Sequence, residues 1–421
     1  MSGNLTPLEG GELMLKRIFS VLVGLFMIVS FFSGCVTMVE SEVLFSKGKY
    51  NEVIPIYKKS LVEDPDNIMF RSKLGFAYLK TGRIDEAVSE LETVQRIKPG
   101  EAYSALYLGM AYLNKGDLSD AIRIWKGYKN DSAPIVEAEI KRQLTLLLIA
   151  DSQRQAKKAL DTEKKLKTVK PDRYTVAVCY YDDLSPDKSL SAFQKGLAVM
   201  VITDMSKIKS LKVVERIRLQ SLLEEMQLGQ TGIVDASTAP RVGRLLGAEN
   251  LVVGNIMIGS YTATTSLSST SAGDVMGTGQ VTVPQNQFFE LPKSIVTQAT
   301  DIMGVPLSAQ EEAALAVAQT KSFEAVTFFG QALQAMDAGN YGNAKALFAM
   351  ALAEDPNFVA AQEGLASCPS SSAPSKDALE DMSMSEIADS ISAAVESAQD
   401  SQGQSDSESD SEGGGGGGGG Y

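Results

Sequence analysis

The sequence predicts an α/β protein, a central sheet-containing module flanked on both sides by purely helical repeats. Three observations predict it. Apolar runs at 174–181 and 251–258 bracket a compact alternation of strand-like and helix-like segments. Small and aromatic residues recur at a fixed spacing of 34 on the amino-terminal side. From 367 onward the composition shifts to Ser, Asp, Glu and Gly, which cannot build a core.

Length and composition narrow the function. A chain of 421 residues with 44% hydrophobic content has room for two or three domains. Its net charge of −13 argues against nucleic acid as a partner, because phosphate would be repelled. The sequence contains no histidine, so Ser-His-Asp triads, Cys-His pairs, His-ligated metals and His general bases are excluded. The three cysteines, Cys35, Cys179 and Cys368, are too few and too far apart for a disulfide framework or a CxxC metal site. No cofactor and no metal site is expected.

At the amino end Lys16-Arg17 precedes an apolar run over 18–32 and then Ser33-Gly34-Cys35. This is the layout of a secretory signal: a positive region, an apolar region, and small residues at a cleavage point. Cys35 directly after Ser-Gly resembles the lipobox of bacterial lipoproteins, although Phe32 stands where that pattern usually has leucine. The resemblance implies a signal peptide over 1–35 and acylation of Cys35. Val36 after the cysteine implies, by the same resemblance, sorting to the outer membrane. The rival readings are a transmembrane helix over 18–39 and an ordinary signal followed by a free cysteine. Glu9 and Glu12 suit a signal poorly, so translation is expected to begin at Met14.

Over 40–166 the 34-residue spacing links Gly48, Gly82 and Gly116, Gly75 and Gly109, Tyr78 and Tyr112, and Val53, Ala87 and Ala121. Leu74, Gly75, Tyr78, Ala87, Leu91 and Pro99 fall at the spacing of the tetratricopeptide repeat, which the segment resembles. Small Gly75, Ala87, Gly109 and Ala121 would let paired helices approach, Tyr78 and Tyr112 would fill the gaps, and Gly82 would make the turn. Such arrays present a concave surface to partners, or serve only as spacers. An amphipathic helix over 140–166 is expected to cap this array.

The central module is expected over 174–304. Its first strand, 175–181, carries Cys179 as a small core residue, and Asp182 to Asp187 reads as a turn cluster. A helix over 190–208, a short strand at 211–215, a helix over 216–227, a helix capped by Asp235 or Ser237 and a strand over 250–258 follow. The VAV strand, Gly196-Leu197-Ala198, Val213-Val-Glu-Arg216, Leu222-Leu-Glu-Glu225, Leu245-Leu-Gly-Ala248 and Leu251-Val-Val-Gly254 together resemble the CsgG-like domain of curli assembly and transport lipoproteins. The resemblance implies a bacterial cell-envelope location, an outer-membrane anchor facing the periplasm, envelope proteins as partners, and no turnover reaction.

Candidate catalytic groups are weak. The carboxylates Asp182-Asp183 and Glu224-Glu225 are adjacent in sequence, and neighbouring helix residues do not converge on one point. Glu215-Arg216 suggests a structural ion pair or a subunit contact. Gly277-Thr-Gly279 lacks the third glycine and the following helix of a phosphate loop. Two alternating runs around Ser271-Ala-Gly-Asp274 suggest a hairpin over 261–283. The curli channel inserts such hairpins in the membrane, but here the outward positions are Thr and Ser. After the hairpin, 288–302 reads as a helix returning to the sheet.

Over 305–366 Ser308 is expected to cap a helix, and 321–358 to form one further repeat. There Gly339, Ala344, Phe348, Ala351 and Pro356 match the spacing of Gly82, Ala87, Leu91, Val94 and Pro99. A lone repeat cannot bury its own face, so it must dock on the module, on the first array or on another protein. Residues 367–421 are expected to be a disordered tail with a weak amphipathic segment through Leu379, Met382, Ile387, Ile391 and Val395. The functional expectation is a protein-binding assembly or secretion accessory, not an enzyme. The alternative is a subunit of an oligomeric outer-membrane secretion channel, with homo-oligomerisation left open.

Overall fold

The structure is a computed structural model that describes residues 39–129, 133–166, 170–227, 234–235, 237–257, 261–375, 378–379, 382 and 386–395. The signal segment and Cys35 lie outside the described residues. The chain folds as two units that divide between Lys115 and Gly116. The division falls inside the helical stretch expected to be one array over 40–166.

In the first unit, helix α1 (39–46) is followed by α2 (Tyr50–Glu63), α3 (Ile68–Lys80), α4 (Ile84–Ile97) and α5 (Ala102–Lys115). The turns between α1 and α2 and between α3 and α4 need a left-handed residue, which Gly48 (φ 68°) and Gly82 (φ 73°) supply. Asn67 caps α3 by accepting the Phe70 N–H at 3.0 Å. The core is fully buried Val53, Leu74, Ala87, Leu91 and Val94.

The second unit begins with α6 (Leu118–Lys126) and the 28-residue α7 (Pro134–Asp161), then α8 (Glu163–Leu166). Next come β1 (Asp172–Val178), β2 (Asp182–Asp183), α9 (Ser191–Met205), β3 (Lys212–Val213), α10 (Arg216–Glu225), α11 (Ala239–Leu246) and β4 (Ala248–Met257). The hairpin is β5 (Tyr261–Ser269) and β6 (Val275–Val283). A 3₁₀ turn, Gln285–Glu290, leads into α12 (Leu291–Met303). The helices α13 (Ala309–Leu315), α14 (Phe323–Asp337), α15 (Tyr341–Glu354), α16 (Val359–Ser367) and α17 (386–395) complete it.

The sheet is mixed and six-stranded, in the order β3-β1-β4-β5-β6, with β2 also paired to β4. β1, β2 and β3 pair in parallel and the hairpin pairs antiparallel. This is the α/β class that the sequence predicts. The Asp182-Asp183 turn cluster is corrected in part: these two residues form a strand beside Asn255 and Ile256. They continue the line of β1 because Cys179 N–H bonds to the Val252 carbonyl at 2.9 Å.

Register assigns the covering helices. A Cβ at Gly277 would meet Ile302 of α12, and Gly277 pairs with Leu267, which pairs with Val252. A Cβ at Gly243 of α11 would meet Leu251, the next residue along β4. Successive strand residues point to opposite faces, so α11 and α12 cover opposite sides of the sheet. Central β4 is accordingly buried along most of its length.

The expectation of a disordered tail from 367 is also corrected for its described part. Leu379, Ile387, Ile391 and Val395 are each 1% exposed, and Arg154 of α7 donates to the Met382 carbonyl at 2.8 Å. The apolar face of α17 is long enough to be buried, and burial outweighs the weak local propensity.

Candidate functional site

In the first unit the inner helices carry a side-chain stripe with the repeat's own period. Met69 and Tyr103 are 34 apart, each the second residue of its helix, and both are exposed, at 38% and 43%. Beside Tyr103 runs a chain of aromatic contacts. The Tyr103 and Tyr107 rings lie 5.9 Å apart, Tyr107 and Phe76 4.4 Å, and Phe76 and Phe45 5.6 Å, with the Lys73 ammonium 5.3 Å from the Phe45 ring. These tilted ring contacts pack the aromatic side chains beneath the exposed Tyr103.

The residues read from the sequence as packing positions sit as follows. A Cβ on Gly75 would come within 2.5 Å of Leu91 Cγ, so α3 and α4 touch there. Tyr78 is buried with Arg83 4.3 Å over its ring, and the buried Tyr112 donates to Glu92 at 2.6 Å. Ala87, Ala121 and Ala344 are fully buried, and Gly109 is buried within α5.

In the second unit the paired helices α14 and α15, where a further repeat was expected, are docked on the α/β module through α14. α14 crosses α9 at two glycines: a Cβ on Gly196 would meet Val326 Cγ1 at 2.7 Å, and one on Gly330 would collide with the Ala192 carbonyl oxygen. Phe323 stacks on Phe193 (5.0 Å) and on Tyr261 (5.4 Å), and packs edge-on against Phe288 (5.5 Å). The hairpin, the 3₁₀ turn, α9 and α14 therefore share one core.

A buried polar cluster closes the same contact. Arg216 Nη1 donates to both Asp337 oxygens, at 2.8 and 2.9 Å, and to the Tyr180 hydroxyl at 3.2 Å. Lys195 also pairs with Asp337. Tyr180 donates to Gln220 at 2.8 Å, and Gln220 donates to Glu224 at 2.6 Å. Burial alone would raise the Asp337 pKa, but Arg216 and Lys195 outweigh it and hold the carboxyl below its usual range. Burial alone would lower the Arg216 pKa, and Asp337 and Tyr180 reverse that. Lys195 is held below its usual value because burial exceeds the pull of Asp337.

Both main partners stand at the disfavoured ends of their helices. Arg216 is the first residue of α10 and Asp337 the last of α14, where the helix dipoles oppose their charges. Each supplies the other's compensation. Glu215 is separated from Arg216 and pairs with Lys126. Asp183, fully buried, accepts the N–H groups of Ser185 and Leu190 at 2.8 Å each, so it ties the loop before α9. Glu225 is exposed. The paired carboxylates are thus not brought together on a common cavity. Gly277 and Gly279 make room for Ile302 and Gln298 of α12. Cys179 is fully buried and its thiol pushed up to about 12 by burial; Cys368 is buried too and raised to about 11. Among the described residues no group of three or more His, Cys, Asp or Glu could hold a metal, and no helix is long and apolar enough to cross a membrane.

The expected hairpin is embedded in the sheet. β5 pairs with β4 from Asn250↔Ser269 to Met257↔Thr262. On the face away from α12, Thr262 bonds Thr282 and Ser266 bonds Thr278, each at 3.0 Å. The sequence missed Asp337, Lys195 and Gly330. Charge at the unfavourable helix end was the available signal for Asp337.

Residues 159–291 match the family model described as curli production assembly/transport component CsgG, and residues 44–107 match that of a tetratricopeptide repeat. The chain therefore carries a CsgG-like domain together with tetratricopeptide repeats. The CsgG match starts 15 residues before the expected boundary at 174, within α7. Among curated proteins, the TPR repeat-containing thioredoxin TTL4 of Arabidopsis thaliana is 32% identical over 81 residues, 19% of this chain and 12% of that protein. The chain thus spans about an eighth of that relative's length. Among solved structures, the LpoB C-terminal domain from Salmonella enterica aligns at 13% identity, covering 32% of this chain and 95% of that one, with a TM-score of 0.23. Yeast Tom70 aligns at 15% identity over 77% of this chain and 63% of that one, with a TM-score of 0.24.

Proposed function

We propose that the chain is a bacterial envelope lipoprotein that binds other proteins as an assembly or secretion accessory and catalyses no reaction. It is acylated at Cys35 and held on the outer membrane, facing the periplasm. The observation that carries the binding role is the exposed pair Met69 and Tyr103, one repeat apart, with Tyr103 set against the packed Tyr107 and Phe76 rings. Apolar anchors on a rigid support are what a protein partner's hot spots engage. The envelope location is supported by the CsgG match, whose description names assembly and transport. The non-catalytic reading is supported by the use of the buried charges: Asp337, Arg216, Lys195 and Asp183 all hold elements together. The channel alternative is not favoured, since both hairpin strands lie in the module's own sheet and carry a Thr/Ser face.

The test places a photo-crosslinkable residue at position 103 of the membrane-tethered full chain, with exposed Val359 as the control position. Discrete heterologous adducts from 103 and not from 359 are expected. No adduct, or the same adducts from both, would contradict the binding role. Adducts of the chain with itself would point to a homo-oligomer. Cys35→Ala should abolish fatty-acid labelling and release the protein from membranes; persistent labelling would overturn the lipoprotein assignment.

A further inference from the structure

A half-open cleft of about 320 Å³ lies between α7, α10 and α11. Ala156, Leu222 and Leu245 give it an apolar wall, and its charged lining is Lys158, Arg218 and Arg244 with no carboxylate. In a chain with 52 acidic and 39 basic residues this is the reverse of the general balance. Several arginines of this unit pair with acids: Arg216 with Asp337, Arg241 with Glu163 and Arg142 with Glu139. Among the described residues the two in the cleft make no such ion pair. Among the described residues Arg218 donates to the Leu246 carbonyl, at 3.3 Å, and feels the charge of Asp151, while Arg244 Nε is shielded from solvent with no hydrogen-bond partner. The nearby acid, Asp151, accepts from Gln155 at 2.5 Å, and burial raises its pKa despite Arg218 and Arg154.

A shielded N–H without an acceptor, as at Arg244 Nε, loses hydration that no described residue returns. An anion returns it, and the planar fork of arginine fits phosphate through two parallel hydrogen bonds. The volume is at the lower end of small-ligand sites, enough for a headgroup and a few carbons. We propose that this cleft is a binding site for a phosphate monoester carried on an apolar body, with Arg218 and Arg244 on the phosphate and Ala156, Leu222 and Leu245 against the carbons. The same chemistry occurs in an anionic lipid and in a soluble phosphate ester. The site is independent of the repeat surface and of Cys35.

The experiment is titration calorimetry on the full chain in detergent below the ligands' own micelle concentration. Its probes are dihexanoyl phosphatidic acid, glycerol 3-phosphate and, as the neutral-headgroup control, dihexanoyl phosphatidylcholine. Binding of either phosphate monoester, with the choline lipid at least about tenfold weaker, is expected. The ratio between the lipid and glycerol 3-phosphate tells the two sources apart. Arg218→Gln/Arg244→Gln should weaken that binding by about tenfold or more, the scale of a lost charge-assisted contact, while Arg244→Lys keeps part of it. Circular dichroism and melting of each variant without ligand check that the fold survives; if the double variant unfolds, the single Arg244→Gln carries the comparison. Absence of binding by both monoesters at millimolar concentration, or binding unchanged in a folded arginine variant, would overturn the proposal.

Discussion

Asp337 shows what one residue does here. It is the last residue of α14, yet it anchors that helix to α9 and α10 through Lys195 and Arg216. Removing one member of a buried ion pair leaves a charge without its partner, at a cost of about 3–5 kcal/mol. Asp337→Ala should therefore lower the unfolding free energy of the second unit by that amount in a denaturant titration. A change under about 1 kcal/mol would mean that water replaces the carboxylate. The folded pKa of Asp337 is depressed, so its contribution is present above the unfolded value of 3.8 and is lost as pH falls through the lower folded one. Glu311 behaves alike by another route. It closes the capping box of α13 with Ser308 and accepts the Lys209 N–H at 2.9 Å, and these bonds bring its pKa to about 2. Its contribution is complete above about 4.5 and disappears as pH falls toward 2, so Glu311→Gln should flatten stability against pH in that window. An unchanged profile would show that the box is dispensable. Ser308 was legible in the sequence as a cap. Asp337 was not, because its partners lie 121 and 142 residues away.

At the scale of elements, the α9–α14 crossing depends on glycines that let backbones touch. Gly196 stood out within the family-like Gly-Leu-Ala, but Gly330 did not, because nothing local separates a contact glycine from one that merely weakens a helix. Gly330→Val has no flexible neighbour to displace, only the Ala192 backbone. It should cost about 1–3 kcal/mol as overpacking, read as a lowered melting temperature, and an unchanged value would place the helices farther apart than described. At Gly75 the obstacle is the Leu91 side chain, which can turn aside. Gly75→Ala should cost less than Gly330→Val, and the reverse order would show that Leu91 has no room to turn aside. The strong 34-residue period made the first repeats legible, since each residue's partner recurs one repeat away. The strand at Asp182-Asp183 was not, because two charged residues lack any strand propensity and are placed by β4. The helix at 386–395 was half-legible: its apolar spacing showed, but whether a surface awaited it did not.

Across the whole molecule, the α14–α15 pair is consumed within the second unit. Its inner helix covers Phe193, Tyr261 and Phe288, which leaves the exposed stripe of the first unit as the proposed docking element. The α/β class and the repeats could be read because periodicity is local. The docking of one on the other could not, since it rests on long-range aromatic and ionic contacts with no repeating signature. The proposed binding of envelope partners rests on Met69 and Tyr103. The direct measurement is partner capture from solubilised envelopes by the lipid-tethered full chain and by Met69→Glu/Tyr103→Glu. Both substitutions are at exposed positions, so circular dichroism and melting should stay unchanged. Loss of at least about nine-tenths of the captured partner is expected when two hot-spot side chains are replaced by charges. Undiminished capture by the folded double variant would contradict it.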